Sequence, residues 1–516
     1  ARLAPDPARI AHDDLARGLY ETERMIADLA ADASIETIET DVAIIGSGPA
    51  GLTLASKLTR DCCVIESGGL ALDLPNHWRY HSINAGDKTK VESLRVRGEG
   101  GASLRWTGRC IPLDRYDFED RPWISDTTWP IAFDDLVPWF ERAGELMELQ
   151  SDDVLDRFPA QDLDHAMAHD GRWRPSVWRF ADHEARGMLR FGERMAEAFK
   201  SDKRHLFYYA HCEQILADKS GVKALLLVTE SGRRVTVRAR HFVIAAGCVE
   251  SSRLLLDTQR SHPDLLGPVS PWLGRGFNQH LRVDAGQLTL NPPWRQALQK
   301  QLTIFRRKGA ALAERGVALD PDFARREKIG NASLILRFEP KPQRRVRNLM
   351  ARAKGRALSE PAAFFDPEVF VEIDTEQSVD PESRIELDEQ RDPLGRPRAR
   401  IHWTISEVDC RTAFSAASAF GDFAQSQGLG VMVISPGLTP TQVSSETRRD
   451  SNHQLGGTRM SETPETGVVD RNLSVHGVSN LSVVGGSVFA TGGHANPTQA
   501  IVALALRLAE HLNAQG

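Results

Sequence analysis

The sequence predicts an α/β fold: a doubly wound sheet assembled from separated stretches of chain, joined to a second region of strands and helices. Three observations predict it. A short apolar run, Val42-Ala-Ile-Ile45, leads through a glycine turn into a helical pattern, Leu52 to Leu58. A second apolar run, Cys62 to Ile65, closes that βαβ unit. Far downstream, two alternating segments flank a turn signal, the pattern of a hairpin. A chain of 516 residues also exceeds the roughly 250–300 at which single cores stop growing.

Along the chain, residues 1–40 carry Ile10, Leu15, Leu19, Met25, Ile26 and Leu29 at three- and four-residue spacings, which predicts an amphipathic helical arm. The βαβ unit follows. Residues 90–115 are rich in Gly and Arg, and 116–205 predict helices with Trp, Phe and Leu on their packed faces. Lys223 to Val228 and Val235 to Ile244 read as strands. The basic stretch from Arg295 to Arg356 predicts helices with solvated Arg and Lys faces, the alternative being a docking surface for an acidic partner. Arg384 to Leu387 and Arg398 to Trp403 form the hairpin around Asp392-Pro-Leu-Gly395, and a helix covers Val408 to Ser426.

Composition sets limits on function. With 41% hydrophobic and 26% charged residues the chain is a folded globular protein. A net charge of −6 gives no overall attraction to nucleic acid or anionic lipid. No run of 18 apolar residues is present, so the expectation is a cytoplasmic protein without a membrane span. The six cysteines have neither the density of a disulfide framework nor the spacing of a zinc site; buried thiols and no metal are expected.

Gly46-Ser-Gly48-Pro49-Ala50-Gly51 is G-x-G-x-x-G between a strand and a helix, with Glu66 twenty residues after Gly46 at the end of the next strand. Gly46 permits the tight turn, Gly48 lets backbone approach a pyrophosphate, and Gly51 lets helix pack on strand. Glu66 is placed to accept hydrogen bonds from ribose hydroxyls. FAD and NAD share this pattern, and it does not choose between them.

Other segments do. Arg97-Gly-Glu-Gly100-Gly101-Ala-Ser103-Leu-Arg-Trp106-Thr-Gly-Arg109, Phe242-Val-Ile-Ala-Ala246-Gly247-Cys-Val-Glu250, Gly276-Phe-Asn-Gln-His280, His453-Gln-Leu-Gly-Gly-Thr-Arg-Met460, Gly485-Gly486-Ser487-Val-Phe489 and Asn496-Pro-Thr498 stand in order along the chain. From Asp41 onward the sequence resembles the glucose-methanol-choline flavin oxidoreductases, and most of all their pyranose-oxidase-like, sugar-oxidising branch. The resemblance implies a Rossmann-like FAD-binding domain over 41–115, 201–276 and 451–516. It implies a substrate-binding domain over 116–200 and 277–450, on a mostly antiparallel β-sheet flanked by helices. Ser67, Arg97, Gly100, Gly101, Ser103, Trp106, Cys212, Ala246, Gly247, Gly486, Ser487, Asn496 and Thr498 then join the glycine turn and Glu66 as FAD-binding residues. Where pyranose oxidase attaches its flavin through a His before Trp, this chain has Leu104-Arg105-Trp106. FAD is therefore expected to be held non-covalently.

The same resemblance makes His453 the base that takes a hydroxyl proton and Asn496 the group that orients the alcohol oxygen. A neutral imidazole suits the first task and an amide the second. His494 is a rival base, while His280 and His476 are expected to serve packing. The implied reaction is oxidation of a CH–OH group of a sugar, glycoside or related polyol by hydride transfer to flavin. Oxygen, a quinone or a protein would reoxidise it, and an oligomer is compatible with the sequence. The alternatives are a non-sugar alcohol as substrate, a redox-silent lyase, or a scaffold without chemistry.

Overall fold

The computed structural model describes residues 25–72, 81–87, 95–149, 161–263, 270–302, 304–306, 311–340 and 367–515. Its first sheet has eight strands. From one edge these are Ile26–Asp28, Arg204–Tyr208, Cys62–Ile65, Thr37–Ile45, Arg234–Ile244, Gly221–Val228 and His211–Asp218, and Leu481–Val483 lies beside the end of Arg234–Ile244. The first five and Leu481–Val483 run parallel, and the remaining two are antiparallel. The central strands read as unbroken apolar runs because both faces are covered: Val42, Ile44, Val64, Val243 and Ile244 have no exposed surface. Helix Pro49–Lys57 crosses between the first two strands of the sequence-predicted unit and packs on the last helix, Thr498–Ala514.

The amino-terminal arm differs from expectation. Residues 1–24 lie outside the described residues, but Ile26–Asp28 is a strand paired in parallel with Leu206–Tyr208, and Thr37–Ile45 is a strand nine residues long. The concentration of β-branched residues at Ile35, Thr37, Ile38 and Thr40, together with an open sheet edge, prevails over a weak helical periodicity.

A second, ten-stranded sheet holds a separate core. Its main path runs Gly430–Ile434, Leu281–Leu290, Pro367–Thr375, Ala332–Pro340, Ala311–Leu319, Trp173–His183 and Arg109–Cys110, with every pairing antiparallel. Helix Glu407–Ser426 covers it, opened by a capping box between Ser406 and Asp409. The hairpin forms from Arg384–Arg391 and Pro397–Trp403, joined in parallel by Ile83–Gly86.

Two further expectations are corrected here. Trp173–His183, within the stretch read as helical, is an eleven-residue strand, because Ser176, Trp178 and Phe180 alternate into the core. The basic stretch, of which 303, 307–310 and 341–356 lie outside the described residues, is not simply a set of solvated helices. Besides helices Trp294–Gln301 and Pro321–Glu327 it holds strands Ala311–Leu319 and Ala332–Pro340, whose Arg315 and Arg337 are ion-paired with Asp164 and Glu372. All six cysteines are free and buried, and burial pushes the thiols of Cys62, Cys110 and Cys212 up to about 12. No described helix is long and apolar enough to cross a membrane.

One buried imidazole ties this sheet to pH. His241 lies within 2.9 Å of Ser482 Oγ, and burial, with Arg60 and His511 nearby, moves it down to about 4. Its folded value lies below the unfolded one of about 6.5. The unfolded chain therefore binds the proton first, and stability present above pH 6.5 is lost as pH falls toward 4. The expected loss from this group is roughly 3 kcal/mol. Urea denaturation of His241→Gln at pH 7 and pH 4 should show a fall smaller than wild type by about that amount.

Candidate active site

Two glycine segments interlock to build one end of the site. Gly46 turns with φ 105° and donates its N–H to Ile65 O at 2.8 Å. A Cβ on Gly51 would stand 2.0 Å from Gly46 O, and one on Gly101 would stand 2.9 Å from Gly48 Cα. A Cβ on Gly48 would meet nothing within 4 Å, because that side faces a cavity of about 750 Å³. Glu66 clamps the two segments: its carboxylate accepts from Ser47 N at 3.2 Å and Ser47 Oγ at 2.5 Å, and from Gly68 N at 2.7 Å and Gly98 N at 3.1 Å. Its first task is thus internal, and a ribose would share oxygens already held by the chain. Arg97 reaches Ser67 O at 2.6 Å and His211 Nε2 at 3.2 Å.

Three helices begin at this cavity, Pro49–Lys57, Cys248–Ser261 and Thr498–Ala514, and none has a side-chain cap at its start. Free first-turn N–H groups and aligned dipoles make each start attractive to an anion or a polarised carbonyl oxygen. Of the residues expected to bind FAD, Gly46, Gly48, Pro49, Ala50, Glu66 and Ser67 line the cavity at one end. Arg97, Gly101, Trp106, Cys212, Ala246 and Gly247 line it further along, and Gly486, Asn496 and Thr498 complete it. Gly51, Gly100, Ser103 and Ser487 stand behind the lining; Ser103 Oγ donates to Gly100 O at 2.7 Å and so holds the second glycine turn. The donors, the glycine cradle and the volume of this cleft fit a flavin dinucleotide.

His453 and Asn496 line the same cavity. The segments 281–283 and 448–450 are paired antiparallel, and Asn278 pairs with Leu455 further along. Between these pairings, residues 279–280 face the longer stretch 451–454, which bulges with Asn452 at φ 63°, a conformation Asn tolerates. His453 is turned inward, Nδ1 to Nδ1 with His280 at 2.8 Å, and its Nε2 lies 3.2 Å from Asn496 Nδ2. The two rings meet edge to face at 4.8 Å. Burial first, and His280 second, hold His453 well below the ordinary imidazole range. His280, expected to serve packing, is thus in direct contact with the expected base. Only the cross-strand register reveals it.

The wall nearest His453 is built by the second sheet. Arg109 pairs with Glu314 at 3.1 Å, Arg282 with Asp374 at 2.6 Å and Arg337 with Glu372 at 2.7 Å, and the Arg109 guanidinium lies 4.1 Å above Trp178. Their charges were not singled out in the sequence, because each pair joins residues from different strands. The loop carrying Asn496 is pinned from behind. Thr491 Oγ1 donates to Asp117 O at 2.7 Å, and Gly493 N donates to Glu376 Oε1 at 3.3 Å. Glu376 is itself held by the buried Arg121 at 2.5 Å and 2.8 Å. His494 is buried behind the loop and does not line the cavity. His476 lies 3.2 Å from Ser461 Oγ, a packing role.

Residues 380–505 match the GMC oxidoreductase family profile. The chain is 25% identical to the fructose dehydrogenase large subunit of Gluconobacter japonicus, over 92% of this chain and 98% of that one. It is 24% identical to 2-methyl-1,2-propanediol dehydrogenase of Mycolicibacterium austroafricanum, over 92% and 95%. Among solved structures, formate oxidase of Aspergillus oryzae, a protein described with FAD modification, superposes with a TM-score of 0.58 at 14% identity, covering 93% and 99%. The resemblance to the GMC oxidoreductases read from the sequence motifs is borne out.

Gly51→Ala places a methyl against Gly46 O, which is backbone and cannot move aside. The purified variant should carry less than about a tenth of the wild-type flavin per chain, read from visible absorbance against protein, with the second core still folded by near-ultraviolet circular dichroism.

Proposed function

We infer that this chain is a GMC-type, FAD-dependent oxidoreductase that oxidises a CH–OH group of a sugar, glycoside or related polyol. One observation carries the reading: an imidazole and a carboxamide, 43 residues apart in sequence, meet at 3.2 Å in the lining of the same cavity as a glycine cradle. FAD, bound there, supplies the acceptor for a hydride. It is held without a covalent bond, since Leu104-Arg105-Trp106 offers no imidazole.

In this reading His453 receives the hydroxyl proton on Nε2, and Asn496 Nδ2 donates to the alcohol oxygen and fixes its position. The downward shift of His453 keeps it neutral, and so ready to accept a proton, through neutral pH. The polyol class is supported by the wall. Two Arg–carboxylate pairs, Arg109 with Glu314 and Arg337 with Glu372, and Arg282 beside them set donors and acceptors side by side, the arrangement that vicinal hydroxyls need, and Trp106 and Phe180 add apolar faces. That a relative acts on fructose and another on a diol agrees with this class. The division of labour follows the same lines. The cradle is drawn from 41–115, 201–276 and 451–516, read as the FAD-binding part. Phe180, Arg282, Glu314, Arg337 and Glu372 come from 116–200 and 277–450, read as the substrate-binding part.

An anaerobic stopped-flow screen of sugars, glycosides and simple diols, followed by flavin absorbance, tests the reading. Bleaching by a polyol is expected, and bleaching by none of them overturns it. With the best substrate, His453→Ala should slow bleaching by about 100- to 10,000-fold while flavin stays bound. Because the folded-state value of His453 is depressed, the wild-type rate should hold constant as pH falls from 8 through 6.5 and decline only below that.

A further inference from the structure

Three contacts fix the protons of the site. His280 Nε2 lies 3.4 Å from the carbonyl oxygen of Gly492, which can only accept, so Nε2 of His280 carries hydrogen. Its Nδ1 is then an acceptor, and the single proton in the 2.8 Å Nδ1-to-Nδ1 contact belongs to His453. Nε2 of His453 is left with its lone pair open, facing Asn496 Nδ2 at 3.2 Å. The opposite tautomer of His453 would set two lone pairs against each other across 2.8 Å.

We propose that His280 is the positioning residue of the base: it holds His453 in the tautomer with Nε2 open, and it shares the proton that His453 takes from substrate. This rests on the reading of His453 as base. In the step, the hydroxyl O–H bond breaks and its proton joins His453 Nε2. The electron pair left on oxygen would form the second C–O bond as the carbon gives up hydride, for which FAD would supply the acceptor. The Nδ1 proton of His453 shifts toward Nδ1 of His280, whose Nε2–H stays on Gly492 O. One proton and one hydride leave the alcohol, and the positive charge spreads over two rings.

The surroundings suit a shared charge. Asp374 and Glu376, at the end of strand Pro367–Thr375 and just beyond it, favour a cation on His280, while Arg282 opposes it. Around His453, Asp374 favours the cation, and Arg282 and Arg109 oppose it. His280 also adds a like charge against His494 behind the loop. Burial keeps both rings of the pair neutral at rest, so a charge confined to one of them would be costly.

Two variants separate the roles. His280→Asn keeps an acceptor oxygen near the Nδ1 position but takes no proton; His280→Leu keeps neither. Anaerobic flavin reduction should be slowed by on the order of 100-fold in His280→Leu, and His280→Asn should recover about tenfold of that. His280 is neutral at rest and repels a charge on His453 only when it is itself protonated, so what the variant loses on the first proton is the sharing: His453 becomes a weaker base, and the acid limb of the rate in His280→Asn should move to lower pH by about one unit. Independently of turnover, 15N spectra of histidine-labelled protein, with His453 signals assigned by their loss in His453→Asn, should show His453 protonated on Nδ1 in wild type and mixed tautomers in His280→Leu. A wild-type rate and acid limb in His280→Leu, or hydrogen on Nε2 of His453 in wild type, overturns the proposal. If His280→Leu loses its flavin, an unshifted acid limb in His280→Asn overturns it instead. A fast His453→Ala would sink the base assignment itself, whereas a slow His453→Ala beside a fast His280→Leu sinks only the role of His280.

Discussion

The site depends on one antiparallel register. Leu281 faces Asp450, Val283 faces Arg448, and Asn278 faces Leu455. Because more residues stand between the outer pairings on one strand than on the other, the longer side must bulge, and it does so where Asn452 adopts a left-handed conformation. The bulge turns His453 toward His280. The same crossing joins the two cores: Leu281 and Val283 belong to the second, Leu455 and Met460 to the first. A slip of one residue would reverse the facing of the side chains and separate the imidazoles.

The sequence made local features legible. The glycine turn, the strand before it, the helix after it and Glu66 are close in the chain, and each has a steric or electrostatic reason that needs no distant partner. The hairpin between Arg384 and Trp403 was readable on the same grounds. His453 and Asn496 were found through motifs rather than through geometry. What escaped notice was set by pairing between strands. His280 looks like a packed histidine until residues 448–455 are laid beside it. The charged wall is similar, since Arg109 and Glu314 lie on different strands of one sheet. Trp173–His183 was hidden by its charges, for Arg174 and Arg179 dilute the apolar alternation that marks a strand.

Buried charge is used here to fix a loop. Arg121 and Glu376 are almost wholly enclosed, with side-chain exposures of 1% and 0%, and they hold the amide of Gly493. Asp117, beside them, is pushed up to about 8 by burial and by Glu376, and is therefore mostly protonated at neutral pH. Its carboxyl would lie 2.2 Å from a Cβ on Gly493, which has φ 57°, so only glycine fits there. Such a pair adds little net stability over apolar packing, yet removing one partner costs about 3–5 kcal/mol. The arrangement favours a single loop conformation over stability, and the conformation it selects is the one that carries Asn496.

The three unprotected helix starts have a meaning for the life of the chain before it is loaded. Helices Pro49–Lys57 and Thr498–Ala514 pack on one another and start at the cavity without side-chain caps, so the interior of the first core ends there in uncapped helix starts. A nucleotide seated there would finish these helices, and its binding free energy would then be part of folding. A chain without the nucleotide would therefore be less stable in its first core than a loaded one.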